Sequence, residues 1–149
     1  MPKYPYGKRS TDLLSQVDED LYDIFMDVGD LINTTILPST IRTVEEQREF
    51  VRTGRSKTMN SKHLQGKAVD AAPYPVDWRL DKELLDVVKD ALEDGFFDRD
   101  KFKEILNNIK RWYEFVGIVK GVAEGQGVSV RHGRDFKGFL DLPHVELKE

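Results

Sequence analysis

Ser61-Lys-His-Leu-Gln-Gly-Lys-Ala-Val-Asp70 is the stretch on which the reading of this chain turns. On a helix, His63 and Asp70 would share a face but stand two turns apart, about 10 Å along the axis. That is too far for both to reach one ion through bonds of about 2 Å. On an unbroken strand their odd separation would send them to opposite faces. If both are to meet one ion the chain must turn between them, and Gly66 is the residue that permits it. The spacing therefore predicts a strand over 66–72 with Ala68 and Asp70 on one face, and places His63 on the loop before it.

A partner for this pair stands near the end of the chain, in Asp141-Leu-Pro-His144. The chain holds three histidines, His63, His132 and His144, and no cysteine. A tightly held metal must therefore use His, Asp or Glu, and a disulfide framework is excluded. His63, Asp70 and His144 read as a zinc site with two imidazoles and one carboxylate. Three protein ligands are the catalytic pattern, because a structural site closes its fourth position whereas a catalytic one leaves it to water. Asp141, three residues before His144, is close enough to share the site without binding the metal, and is the natural general base. The competing reading is that two histidines and two aspartates, in a chain with 27 acidic residues, look like a site only to someone searching for one.

Outward from these motifs, the pattern is mixed. Residues 1–12, rich in Pro, Gly and charge, are expected to lie as an extended arm. Val17, Leu21, Ile24, Phe25 and Val28 have helical period, with Asp18, Glu19 and Asp20 at the favourable end, and Gly29 and Asp30 are expected to close that helix. Thr34 to Leu37 is β-prone and stops at Pro38. Thr43-Val-Glu-Glu46 has capping-box spacing and should open a second helix, closed by Gly54 and followed by a polar loop over 55–60. Pro73 and Pro75 end the Asp70 strand. From Arg79 to about Lys110 the chain is charged, with Leu80, Leu84, Leu85, Val88 and Leu92 helically spaced and a turn at Asp94-Gly95, which suggests a helical hairpin. A further apolar pattern from Ile109 to Val122 runs to Gly125, where Gly-Gln-Gly-Val-Ser-Val converts it to a strand. A terminal strand is expected over 140–147. Asp94-Gly95 is not a calcium loop, since Leu92 and Lys101 fall where oxygen ligands should be.

At 149 residues, with 39% hydrophobic residues, the chain is expected to form a single domain over 1–149, with 79–110 as a charged helical insertion. The expected class is α+β: a small, mainly antiparallel sheet carrying the zinc site, flanked by helices. The formal net charge of −4 argues against nucleic acid or an anionic membrane as a charge-recruited partner. No apolar run approaches the roughly 18 residues of a spanning helix, and no secretion signal opens the chain, so cytoplasmic synthesis without stable membrane association is expected.

The two motifs in this order resemble those of the zinc peptidases that cleave peptidoglycan peptides: the D-alanyl-D-alanine carboxypeptidases and the L-alanyl-D-glutamate endopeptidases of phage endolysins. The resemblance extends over nearly the whole chain. Gly7-Lys-Arg-Ser10 with Leu13 and Val17 is similar to the opening of the phage endopeptidases, Ile41-Arg-Thr-Val-Glu-Glu-Gln47 to their Arg-Thr-x-x-x-Gln motif, Thr58-Met-Asn-Ser-Lys-His63 to their approach to the first ligand, and Asp141-Leu-Pro-His-Val-Glu-Leu147 to their ending. By that resemblance His63, Asp70 and His144 would hold zinc and Asp141 would be the catalytic acid/base. Arg42 would steady substrate or oxyanion, and Ser61 would contact substrate, although its hydroxyl could equally satisfy a backbone group.

The implied activity is hydrolysis of peptidoglycan stem peptide at the L-alanyl-D-glutamate bond by a monomeric endolysin. Such an enzyme would be made in the host cytoplasm and act in the periplasm after release. The rivals are a D-alanyl-D-alanine carboxypeptidase using the same site and a non-catalytic, zinc-stabilised wall-binding module. Two departures stand out. The family commonly has Trp-Gly-Gly-Asp-Trp where this chain has His132-Gly-Arg-Asp-Phe136, which makes His132 a loop or cleft residue and not a ligand. The segment 79–110 is also longer than the corresponding linker in many relatives. Tyr74 and Trp78, beyond the Asp70 strand, have packing as their default role.

Overall fold

The computed structural model describes residues 3–137 and 140–148. Its centre is a four-stranded antiparallel sheet in the order β1-β2-β4-β3, with β1 Thr34–Ile36, β2 Ala68–Pro73, β3 Val130–His132 and β4 His144–Leu147. Five helices surround it: α1 Lys8–Leu14, α2 Glu19–Leu31, α3 Val44–Arg52, α4 Asp81–Asp94 and α5 Arg99–Gly125. The α+β class expected from the pattern is the class observed. Among the described residues no helix is long and apolar enough to cross a membrane.

The N-terminal segment departs from expectation. In place of an extended arm, residues 8–14 form α1, with Thr11 N–H on the Gly7 carbonyl and Leu14 buried against the core. Ser10 is buried as well, and its hydroxyl oxygen accepts the Ile36 N–H, so α1 supplies a partner that edge strand β1 would otherwise lack. Met1 and Pro2 lie outside the described residues.

Helix α2 starts as its acidic end predicts, with the Asp18 carboxylate accepting the Asp20 N–H. It does not stop at Gly29 but continues to Leu31. Gly29 is interior because Tyr6 lies where its side chain would be: a Cβ there would meet the Tyr6 ring at 2.9 Å. The Tyr6 hydroxyl in turn donates to the Phe25 carbonyl. The capping box of Thr43 and Glu46 is present at the start of α3.

The charged stretch after Arg79 is helical, but residue 110 is no boundary. Helix α5 runs unbroken from Arg99 to Gly125, after a turn at Gly95, whose φ is +72°. The second half of α5 presents Trp112, Phe115, Val116 and Val119 to the core, each fully buried. Burying such side chains contributes roughly 1.5–3 kcal/mol each. They pack with Phe25 and Val28 of α2 and with Val69, Ala71 and Val145 of the sheet. Trp78 packs its ring on Trp112, 5.4 Å between centroids, while Asn108 and Trp112 donate to the Asp77 carbonyl and pin the bend before α4. Within α4 the expected apolar stripe is largely exposed at Leu85 and Leu92, and Val87 is the buried residue.

Candidate metal centre

The register of β2 against β4 makes the site. Asp70 stands directly opposite His144, so the two side chains leave the same face of the sheet as a cross-strand pair. His63 comes from a single 3₁₀ turn, Lys62–Gln65, that enters β2 through Gly66 at φ +66°. Gly66 is needed for space as well as for conformation: its carbonyl accepts the Asp18 N–H, and a Cβ there would press on the Gln16 carbonyl at 3.0 Å. This is the turn that the spacing of His63 and Asp70 demanded.

His63, Asp70 and His144 each offer one ligand atom, and these atoms lie within 4.8 Å of one another. The separations are 3.2 Å from His63 Nε2 to His144 Nδ1, 3.2 Å from His144 Nδ1 to Asp70 Oδ1 and 3.4 Å from His63 Nε2 to Asp70 Oδ1. Atoms bound tetrahedrally at about 2.0–2.1 Å from a metal are about 3.3 Å apart, so the three atoms have the dimensions of one face of such a tetrahedron.

Each group is oriented from behind. His63 Nδ1 lies 3.0 Å from the Thr40 carbonyl, which can only accept, so Nδ1 carries the proton and Nε2 presents a lone pair. His144 Nε2 lies 2.8 Å from Glu146 Oε2 and donates to it, leaving Nδ1 as the inward lone pair. Asp70 Oδ2 accepts from the Ser39 hydroxyl at 2.7 Å, leaving Oδ1 turned inward. Thr40 adds a second tie: its hydroxyl donates to the Asp70 carbonyl and accepts the Asp70 N–H. Three acceptors thus face one another in a buried space, an arrangement that a metal cation or a shared proton between them would relieve.

The titration tendencies express the same demand. Where a proton stands in for the ion on an inward ring nitrogen, burial still disfavours the Asp70 carboxylate, but hydrogen bonds from His144 and His63, with that from Ser39, outweigh it and hold the group well below the usual carboxylate range. Burial also disfavours the His144 cation, yet Asp70 and Glu146 raise its pKa above the ordinary value. Asp141 moves the opposite way from Asp70: burial, and then the Asp70 charge, push it up. A carboxyl with raised pKa beside an ionised one is the division of labour expected of an acid/base and a ligand.

Asp141 is placed by backbone. Its N–H reaches the Gly133 carbonyl and its own carbonyl accepts the His144 N–H. The approach to Gly133 is so close that a Cβ there would fall 2.0 Å from the Asp141 oxygen. Arg42 lies within the fields of Asp70 and Asp141; its guanidinium stacks 4.4 Å over Phe50 and donates to Gln47 Oε1 at 2.8 Å. Burial pulls the Arg42 pKa down from its ordinary value, against those carboxylates.

Ser61 stands at the start of the His63 turn, and its hydroxyl oxygen accepts the His63 N–H at 3.3 Å, the backbone role that was the alternative to substrate contact. His132 is neither in a loop nor in the cleft. It ends β3 opposite Val145, fully buried on the face away from Asp70 and His144, with Nδ1 accepting the Arg134 N–H.

Sequence reasoning missed the residues behind the ligands, among them Ser39, which donates to Asp70. Gln47 is fully buried and ties Arg42 to the Ser56 hydroxyl and the Thr58 carbonyl, and thus to the loop that leads to His63. Its place in the Arg-Thr-x-x-x-Gln motif was a signal, though not of what it holds. Thr40 and Glu146 gave no comparable signal, because their partners are set by tertiary contact.

One solved structure that matches is the L-Ala D-Glu endopeptidase ChiX of Serratia marcescens, with a TM-score of 0.69, 24% identity, and coverage of 98% of this chain and 92% of that one; at this identity it establishes the fold. A curated relative, the L-alanyl-D-glutamate peptidase of Listeria phage A118, is 31% identical over 115 residues. The aligned part is 75% of this chain but 30% of that protein, so the chain spans under a third of the relative's length. A family model described as phage L-alanyl-D-glutamate peptidase matches residues 3–148, the whole of the fold described above. The chain belongs to the phage L-alanyl-D-glutamate peptidase family.

Proposed function

We propose that this chain is a zinc-dependent endopeptidase that hydrolyses the L-alanyl-D-glutamate bond of peptidoglycan stem peptides, acting as a phage endolysin in host lysis. The observation that carries the reading is the triangle of inward lone pairs on His63 Nε2, His144 Nδ1 and Asp70 Oδ1, set at tetrahedral spacing beside a buried carboxyl with raised pKa. Family membership supports the choice of bond, since the family model and the curated phage relative both carry that activity in their descriptions. Two imidazoles and one carboxylate suit zinc, with a position left over for catalysis. Zinc bound there would supply Lewis-acid polarisation of the scissile carbonyl and acidification of water.

The protein residues do the rest. Asp141, ionised at the start, takes a proton from the attacking water and returns it to the departing amine of D-glutamate; its raised pKa suits a group that must hold the proton between those steps. Arg42, held by Gln47 and Phe50, directs a planar cation at the developing oxyanion or at a stem-peptide carboxylate. Ser61 supports the His63 turn and would also contact substrate. The partner is peptidoglycan. The enzyme would act as a monomeric single domain over residues 1–149, without nucleic acid or stable membrane association, made in the host cytoplasm and released to the periplasm.

Incubating the purified protein with Gram-negative sacculi, with and without a chelator, and identifying the new termini tests the reading. The expected products carry a new L-alanine carboxyl terminus and a new D-glutamate amino terminus, vanish with chelator and return with added zinc. Release of terminal D-alanine alone would replace the endopeptidase with a carboxypeptidase, and no chelator-sensitive product would leave a binding module.

A further inference from the structure

Glu146 is two residues beyond His144 on β4, so the two side chains share a face of the sheet. Its side chain is only 15% exposed, and a charge so far withdrawn from water needs partners. It has two. Oε2 lies 2.8 Å from His144 Nε2, and Oε1 lies 3.7 Å from Arg131 Nη1, on the β3 residue directly opposite. Arg131 is itself seated 4.4 Å over the Phe136 ring, whose centroid is 5.3 Å from that of His144. Carboxylate, guanidinium and phenyl ring thus close around the rear and one side of a single imidazole.

The contact lengths decide which partner Glu146 serves first. The 2.8 Å approach to His144 is a hydrogen bond, whereas 3.7 Å to Arg131 is an ion-pair distance without one. A carboxylate can only accept, so it requires the proton on Nε2 and frees Nδ1. His63 is fixed in the opposite sense, with the Thr40 carbonyl keeping the proton on Nδ1 and freeing Nε2. Without a fixed acceptor behind it, His144 could rotate or change tautomer and turn an N–H toward His63 and Asp70, which would expel a cation.

We propose that Glu146 is a positioning residue for the metal centre: it locks His144 as the Nε2–H tautomer so that Nδ1 faces the cation, with Arg131 and Phe136 bracing it. This inference rests on the metal reading given above.

Zinc affinity by chelator competition, measured on the parent, Glu146→Ala and Glu146→Gln, tests it together with long-range ¹H–¹⁵N spectra of the zinc-loaded parent. Glu146→Ala should bind zinc about 10- to 100-fold more weakly, the cost of losing such a partner, and Glu146→Gln, whose amide oxygen still accepts, should stay within about threefold of the parent. The spectra should show His144 protonated at Nε2 and metal-bound at Nδ1. Equal affinity in Glu146→Ala, no rescue by Glu146→Gln, or zinc on His144 Nε2 would each overturn the proposal while leaving the metal reading intact. A parent that binds no zinc would overturn both. If the alanine variant fails to fold, the nitrogen assignment in the parent decides.

Discussion

Two surfaces of the same sheet, built from alternate residues of the same strands, differ in almost every respect. On one face Asp70, His144, Glu146 and Arg131 make a polar cluster of hydrogen bonds and ion pairs. On the other, Val69, Val145 and His132 are fully buried beneath α5, with Val130 and Leu147 beside them. The alternation of a pleated strand sends His144 to one world and His132 to the other. Residue type therefore predicts little about the fate of a histidine here, and register decides it. A one-residue slip of β4 would bury the ligand and expose Val145.

The comparison is broken most directly by removing the charge that organises the polar face. Asp70→Ala leaves two imidazole lone pairs with no counter-charge and the Ser39 hydroxyl without its acceptor. Metal analysis should show zinc content falling far below one equivalent. The rate of sacculus digestion should drop on the order of a thousandfold or more, since several kcal/mol of transition-state stabilisation depend on the ion. A variant that kept full zinc content would remove Asp70 from the ligand set.

A narrower cut separates binding from turnover on that same face. Asp141→Asn keeps the shape of the loop that Gly133 admits but abolishes proton transfer, so zinc content should stay at the parent level while kcat falls on the order of a hundredfold. Undiminished lysis by this variant would show that another group handles the proton.

The polar face was the more legible of the two in the sequence. The odd spacing of His63 and Asp70, with Gly66 between them, demanded a turn into a strand, and the structure has that turn. The capping box at Thr43 and the acidic start of α2 were equally readable, because each is a local rule with a local partner. What failed was punctuation. Gly29 looked like a stop but lies inside the 13 residues of α2, where it leaves a gap for Tyr6. The helical spacing of Leu80, Leu84, Leu85, Val88 and Leu92 was right about a helix, yet Leu85, Val88 and Leu92 are exposed, since periodicity gives a helix its stripe without saying what will cover it. The residues behind the ligands, Ser39, Thr40, Gln47 and Glu146, could not be assigned because each acts across a contact that exists only once the sheet has formed. His132 failed for the same reason: the resemblance aligned it with a tryptophan, and its strand parity became visible only through its pairing with Val145.

That parity sharpens the comparison through pH. Burial, with Lys120 nearby, pushes the His132 imidazole down to about 4, so it is neutral in the folded protein across the range where an unfolded histidine, at about 6.5, takes up a proton. Between those two values the unfolded state binds more protons than the folded one, so stability rises with pH and is lost as pH falls from about 6.5 toward 4. At about pH 5 this one group costs about 2 kcal/mol relative to neutral pH. His132→Leu removes the titration and keeps an apolar shape beneath α5. Urea unfolding across that pH range should therefore show a flatter profile for the variant, by that amount, with zinc affinity unchanged at neutral pH. A parallel fall in parent and variant would show that His132 reaches water, and a loss of zinc in the variant would mean that the two faces of the sheet are not independent.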